Sequence, residues 1–261
     1  EIGGLMREWL MESVYGGRVM TWDNAMIHAT GDIDDIDGVS LYSSSMHRMG
    51  GFLQGAPKSL EENHLTMSFK DLRTFLSKQD GFFIKIRVTK VGIKRKMPLL
   101  SLRGEDGVRT YPNDVIGHVF TLDKFFIEDI EKFQHVEYEI IEGVYFDEGR
   151  NKTIKTVIEQ LFNARLEKKE AGNPIEEAFK LILNSIFGYT LLKAHEFDVE
   201  IMTNKRFEEY QRLNHNFIYY VEDLGANQKI VKKYKTIADH FSSPQIGAEI
   251  LSMSKRIMNE L

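Results

Sequence analysis

The 261-residue chain contains no cysteine. That excludes a disulfide framework and a zinc–thiolate site, and it agrees with a reducing compartment. Prolines number only five, so the sequence offers few obvious interdomain linkers. No window has the apolar length of a membrane span, and the N-terminus lacks a basic-then-apolar signal pattern. A membrane-spanning or secreted protein is not expected. Internal repeats and low-complexity tracts are also missing. The first residue is Glu1, not Met, and Leu261 falls inside a helical pattern. The chain is therefore expected to be a piece of a longer polypeptide.

What is present suffices for a globular core. Hydrophobic residues make up 42% of the chain, enough for one large or two small domains. The formal charge of −5 argues weakly against nucleic acid, but the charge is uneven. Between Gly81 and Gly104 stand Lys85, Arg87, Lys90, Lys94, Arg95, Lys96 and Arg103, with no acid. Lys229, Lys232, Lys233 and Lys235 form a second basic group, while acids gather between Asp123 and Glu148. Basic stripes can track phosphates on an acidic protein; each can equally be a solvated face.

Periodicity places the elements. Met6 to Val14 predicts a short helix running into a Gly16-Gly17 turn, and Met26 to Asp37 reads as loop then strand. Asp71 to Ser77 has helical spacing. From Phe82 to Val91, alternation of Phe83, Lys85 and Arg87 against Phe82, Ile84, Ile86 and Val88 predicts a half-buried strand. Thr121-Leu122-Asp123 can cap a helix through Glu131. Val136 to Phe146 is β-rich. Thr153 to Glu170 sets Ile154, Val157, Ile158, Leu161, Phe162 and Leu166 on one helical face. Asn173-Pro174 then supplies an N-cap and a first-turn proline for a helix continuing through Ala178 to Phe187, giving an antiparallel hairpin. Strands are expected at Tyr189 to Leu192, Val199 to Met202 and Phe217 to Val221. Leu224 to Asn227 should turn into a return strand, Lys229 to Lys235. Ser243-Pro244 opens the closing helix. Segregated strands and helices predict an α+β class.

Two stretches carry chemistry. Asp37-Gly38-Val39-Ser40-Leu41-Tyr42 puts an acid two residues before Ser-Leu-Tyr, and Lys180-Leu181-Ile182-Leu183-Asn184-Ser185-Ile186-Phe187-Gly188 lies on a predicted helix. A calcium loop does not fit the first, because Ile33 would occupy the first ligand position and Ser44 the place of the required Glu. In this order the two stretches resemble motif A (DxxSLYP) and motif B (KxxxNSxYG) of family B DNA polymerases. Val14-Tyr15-Gly16-Gly17-Arg18 resembles the YxGG segment found upstream of motif A.

The resemblance implies a polymerase palm, an antiparallel sheet with helices, interrupted by a two-helix fingers insertion and two β-rich insertions. Palm would occupy residues 1–61 and 189–261, and fingers with motif B residues 151–188. Residues 62–150 resemble terminal-protein region 1, and about 196–236 terminal-protein region 2. Short fingers, the Gly-Gly-Arg form and the insertions point to the protein-primed branch of phages, adenoviruses and linear plasmids. Implied partners are template-primer DNA, deoxynucleoside triphosphates and a terminal priming protein, with no membrane. The location would be cytoplasmic or a host-cell replication compartment.

The implied cofactor is a pair of Mg2+ ions, with Mn2+ as a substitute, held by the Asp37 carboxylate and the Gly38 carbonyl. Asp35, two residues back on the strand, is a competing or helping ligand. Ser40, Leu41 and Tyr42 would cradle phosphates, with Tyr42 beneath the sugar excluding a 2′-hydroxyl. Lys180, Arg165 and Lys169 would clamp the triphosphate, and Asn184 and Phe187 would line the nucleotide site. Gly16, Gly17, Arg18 and Gly188 would meet DNA. The sequence departs from the pattern at Val14, at Ser43 for proline and at Phe187 for tyrosine. The YxDTDS hairpin, motif C, is absent, so this piece is expected to be inactive alone. Two alternatives are a non-catalytic relative that binds DNA or a replication partner, and an ordinary primer-dependent polymerase of the same family.

Overall fold

The computed structural model describes residues 1–28, 30–32, 38, 40–192, 197–235 and 241–260. Helix α1 (Gly4–Met11) is followed by α2 (Leu41–Arg48) and the short strands β1 (Phe52–Leu53) and β2 (Lys58–Ser59). Next come α3 (Glu62–Leu65), α4 (Phe69–Ser77), β3 (Gly81–Val91), β4 (Leu102–Arg103) and β5 (Arg109–Thr110). β6 (Val119–Asp123), α5 (Lys124–Gln134), β7 (Val136–Phe146) and β8 (Arg150–Asn151) complete the first half. The second half runs α6 (Thr153–Glu170), α7 (Glu176–Thr190), β9 (Phe197–Thr203), α8 (Asn204–Asn214), β10 (Ile218–Gly225), β11 (Gln228–Tyr234) and α9 (Pro244–Asn259). The class is α+β.

The main sheet is antiparallel with strand order β2-β7-β3-β6. Strand alternation sends Phe82, Ile84, Ile86 and Val88 to one face, where they meet Leu72 and Leu76 of α4 and Ile127 and Ile130 of α5. Burying each such side chain contributes about 1.5–3 kcal/mol. The opposite face differs from the half-buried strand predicted from the pattern. Phe83 is fully buried there, against Leu10 of α1 and Ala248 of α9. Those two helices come from opposite ends of the chain, so local alternation could not show the cover. Beyond Phe83 the same face turns polar, and Lys85 pairs with Glu12 and Glu142 at 3.1 and 2.9 Å.

α5 starts as its sequence predicts, because Asp123 Oδ1 accepts from the backbone N–H of Phe125 and Phe126 at 2.9 and 3.3 Å. The other oxygen of Asp123 accepts from Ser252 of α9. α9 is the most buried helix among those described, and Arg150 grips its Glu249 with two hydrogen bonds of 2.9 and 2.6 Å. The same guanidinium donates to Gly51 O at 3.0 Å and to Asp80 O at 2.8 Å. One arginine thus ties together the start of β3, the turn after α2 and the closing helix.

α6 and α7 pack as an antiparallel hairpin, and its base joins α2 and α9. Met46 and Met49 of α2, Ile158 of α6, Leu183 of α7 and Ile250 and Met253 of α9 form one cluster. The chain enters α7 through a tight turn in which Asn173 Oδ1 accepts from Ile175 N at 3.0 Å, so regular helix starts at Glu176. The expected strand at Tyr189 to Leu192 is not formed. Helix α7 continues to Thr190, whose hydroxyl donates to Phe187 O at 2.7 Å, and Leu191 caps it. Packing overrides β-propensity here. A Cβ at Gly247 of α9 would lie 2.4 Å from the Leu191 side chain and 2.7 Å from Thr190 Oγ1.

The last unit is a three-stranded antiparallel sheet, β10-β11-β9, with α8 on one face. Met202, Phe207 and Val231 make its small core. Sequence periodicity gives no sign of α8, whose eleven residues are mostly polar; Thr203 caps it by accepting from Arg206 N at 3.3 Å. Gly225, Ala226 and Asn227 all take positive φ, which makes the β10–β11 turn. The strand expected up to Asp37 falls on residues 33–37, outside those described. No helix among the described residues is long and apolar enough to cross a membrane.

Candidate functional site

The turn into α2 is the focus. Ser40 adopts a left-handed conformation, φ 49° and ψ 48°, and its carbonyl accepts from Ser44 N at 2.9 Å. This sharp entry ends in a helix whose first N–H groups, from Leu41 onward, have no intrahelical partner. Such an end attracts anions. Arg165 of α6 donates from Nη1 to Ser40 Oγ at 2.7 Å and from Nε to Glu176 Oε2 of α7 at 3.0 Å. One side chain therefore links the turn to both helices of the hairpin. Arg165 holds the Glu176 carboxyl below the usual carboxylate range, and Lys180 adds to that effect.

Tyr42 and Phe187 stack, with ring centroids 4.1 Å apart and planes inclined by 21°. Both rings belong to the rim of the α2–α6–α7–α9 cluster. Lys180 is exposed and pairs with Glu177 at 3.4 Å. Lys169, Asn184 and Gly188 are exposed as well. Ser43, where the motif usually has proline, is buried, and its hydroxyl has no hydrogen-bond partner among the described residues. It borders a cleft of about 260 Å³ between α2 and α6, beside the His47–Glu159 pair at 2.6 Å.

Asp37 and Asp35 lie outside the described residues. Gly38 is half-buried; a Cβ there would meet Leu41 at 3.5 Å, an ordinary contact. Among the described residues no group of three or more His, Cys, Asp or Glu side chains could hold a metal ion. The fit of the implied ion pair therefore turns on Asp37.

The Gly-Gly segment stands apart from this site and is held at its flanks. Lys255 donates to Tyr15 O at 2.8 Å, and Tyr111 Oη donates to Gly17 O at 3.4 Å. Burial pushes the Lys255 ammonium down to about 8. Arg18 donates to Met97 O and Pro98 O at 3.1 and 3.4 Å and to Asn259 of α9. Burial lowers its pKa, and the neighbouring Arg95 lowers it further. Gly16 and Gly17 themselves are open: an added Cβ would meet none of the described residues within 4 Å.

The family model for DNA polymerase type B, organellar and viral, matches residues 6–259. The chain belongs to that family. The fold of this type B polymerase chain is similar to that of phi29 DNA polymerase complexed with primer-template DNA, a post-translocation binary complex. The TM-score is 0.55 at 15% identity, over 97% of this chain and 39% of that one. The phi29 ternary complex with primer-template DNA and incoming nucleotide substrates gives 0.55 at 16% identity, with the same coverage. The chain thus spans 39% of the length of these structures. No curated protein matches its sequence.

Within this polymerase fold, the described residues bring together Ser40, Leu41, Tyr42, Arg165 and Phe187. Lys180 joins through the charge cluster around Glu176. Gly16, Gly17 and Arg18 do not join them. Glu176 was not singled out in the sequence. Its only sequence signal is position, eleven residues beyond Arg165 across a helix–turn–helix.

Proposed function

We propose that the chain supplies the palm and fingers of a DNA polymerase that adds deoxynucleotides in a template-directed reaction. The observation that carries this reading is the junction at α2: the Tyr42–Phe187 stack beside the Arg165–Ser40 tie. A flat aromatic surface next to a helix N-terminus and a guanidinium suits a sugar and base carrying a triphosphate. Palm falls in residues 1–61 and 189–261 and fingers in 151–188. Residues 62–150 and about 196–236 are assigned to contacts with a terminal priming protein and the template.

In the reaction a primer 3′-hydroxyl, or a protein hydroxyl at initiation, attacks the α-phosphate of a deoxynucleoside triphosphate. A P–O bond forms, the α–β bridge breaks, and pyrophosphate leaves. Asp37 and the Gly38 carbonyl would hold Mg2+, which neutralises developing charge on the phosphates. Arg165 is already neutralised by Glu176, so it positions Ser40 and the hairpin as much as it supplies charge. Lys180 and Lys169, on the exposed hairpin faces, take the β- and γ-phosphates. Tyr42 lies under the sugar and Phe187 against the nascent base pair.

The test is incorporation of a labelled deoxynucleotide on a primer-template. The 261-residue chain should be inactive, and a chain extended through a motif C acid should be active. Activity of the shorter chain, or inactivity of a folded extended chain, overturns the reading. Adding a terminal protein in place of the primer separates protein priming from ordinary primer extension.

A further inference from the structure

Two of the cations assigned to the triphosphate already hold carboxylates, and both carboxylates come from the first turn of α7. Arg165 donates from Nε to Glu176 Oε2 at 3.0 Å, and Lys180 Nζ lies 3.4 Å from Glu177 Oε2. The two pairs differ in exposure. The side chains of Arg165 and Glu176 are 14% and 17% exposed, those of Lys180 and Glu177 48% and 65%. An exposed pair is screened by water and salt, so Glu177 gives up Lys180 readily. Glu176 shares a sheltered site with Arg165 and is the acid that an incoming anion has to displace.

Helix entry is secured without Glu176. Asn173 Oδ1 accepts from Ile175 N ahead of α7, and Gly172 turns the chain at φ 63°. What Glu176 does is fill one arm of the Arg165 fork, while Ser40 Oγ fills another at 2.7 Å. A carboxylate and a phosphate present the same kind of oxygen pair to a guanidinium, and a phosphate brings more charge. Arg165 holds the Glu176 carboxyl below the usual carboxylate range, so the group stays ionised at neutral pH.

We propose that Glu176 stands in for phosphate at Arg165: it occupies the guanidinium while the nucleotide site is empty, yields it to the triphosphate, and takes it back as pyrophosphate leaves. This role rests on the nucleotide reading above and adds to it a residue that opposes binding. The pairing keeps the fork formed and aimed between α2 and the hairpin, so less has to be ordered when a triphosphate arrives. It also leaves a like charge beside the bound phosphates, which shortens their stay. Lys169, one turn along α6 from Arg165, has no carboxylate partner among the described residues and is the cation left to meet the anion first.

The test is calorimetric titration of the 261-residue chain with dTTP, and separately with inorganic tripolyphosphate, without divalent ions. Glu176→Gln keeps the shape and removes the charge. It should tighten both ligands by about 5- to 50-fold, the scale of one like charge removed from a partly screened site. Arg165→Gln should weaken both by about 10-fold or more. A purely structural Glu176 predicts the opposite sign, a lower Tm with affinity unchanged or weakened. In the unsubstituted chain the Arg165 Nε–H resonance, identified by its loss in Arg165→Lys, should shift on adding tripolyphosphate, which keeps the test valid if Glu176→Gln unfolds. Unchanged or weaker binding by folded Glu176→Gln, or an Arg165 resonance that does not move at saturation, overturns the exchange. If Arg165→Gln binds dTTP as well as the unsubstituted chain does, the nucleotide reading falls and the exchange with it. If Arg165→Gln weakens binding and Glu176→Gln does not tighten it, the exchange alone falls.

Discussion

The ring of Tyr42 lies stacked on the ring of Phe187, 4.1 Å between centroids and 21° from parallel. One comes from the helix after the motif A acid and the other from the motif B helix. Their contact ties α2 to α7 at the edge of the shared cluster.

Tyr42→Val in the extended, active chain should raise ribonucleotide incorporation while changing deoxynucleotide incorporation less. If the ring excludes a 2′-hydroxyl by overlap, discrimination rests on that repulsion. Losing the ring pair also costs about 0.5–1.5 kcal/mol of stability. The ratio of kcat/KM for the two sugars, measured beside Tm, separates the roles. A lowered Tm with an unaltered ratio removes Tyr42 from sugar selection.

Arg165→Lys should raise KM for all four nucleotides, because one ammonium cannot reproduce the fork that reaches Ser40 and Glu176 together. Lys180→Ala should do the same through loss of a phosphate contact. A charge-assisted hydrogen bond is worth about 1.5–3 kcal/mol, or roughly 10- to 150-fold in kcat/KM. Steady-state kinetics with each nucleotide checks this. An effect confined to one base contradicts a triphosphate role for Lys180.

The Arg150–Glu249 pair makes a stability prediction. Arg150→Met leaves a fully buried carboxyl without its partner, at a cost of about 3–5 kcal/mol. Adding Glu249→Leu should recover much of that loss, as replacing both members of a buried pair often does. Urea unfolding of the single and double variants decides. A double variant no more stable than Arg150→Met would mean that the partnerless charge is not the cause.

The same carboxyl sets a pH dependence. Burial pushes Glu249 up from 4.5 to about 7, with Arg150 pulling it back, and pushes Asp123 up from 3.8 to about 6, with Ser252 pulling it back. The folded chain therefore holds more protons at these groups than the unfolded chain between about pH 4 and 7, and their contribution to stability falls as pH rises through that window. Glu249→Gln should make the pH slope of stability less negative from pH 4.5 to 7. An unchanged slope contradicts a raised Glu249.

Much of the architecture was legible in the chain. α6 follows from the apolar face of Ile154, Ile158, Leu161 and Phe162, and the start of α5 from Asp123. The turn before Gln228 follows from Gly225 and Asn227. What escaped depended on distant cover. Phe83 alternates like an outward residue until α1 and α9 arrive. Thr190 and Leu191 have strand propensity, but they pack against Gly247 of α9 at the end of α7. At the candidate site, Tyr42 and Phe187 were singled out from motif order and Arg165 from its place beside Lys169 on the preceding helix; the contacts of Tyr42 with Phe187 and of Arg165 with Ser40 come from the fold. Glu176 was not singled out, because its role depends on how tightly the hairpin turns.

Incorporation by the extended chain carrying Asp37→Asn tests the central claim most directly. The account predicts that the unsubstituted chain adds only the nucleotide complementary to the template. Asp37→Asn should lower kcat by at least about 10²- to 10³-fold, the scale of losing one group that stabilises developing charge, with Tm unchanged. Incorporation that survives Asp37→Asn undiminished would contradict a polymerase site at this junction.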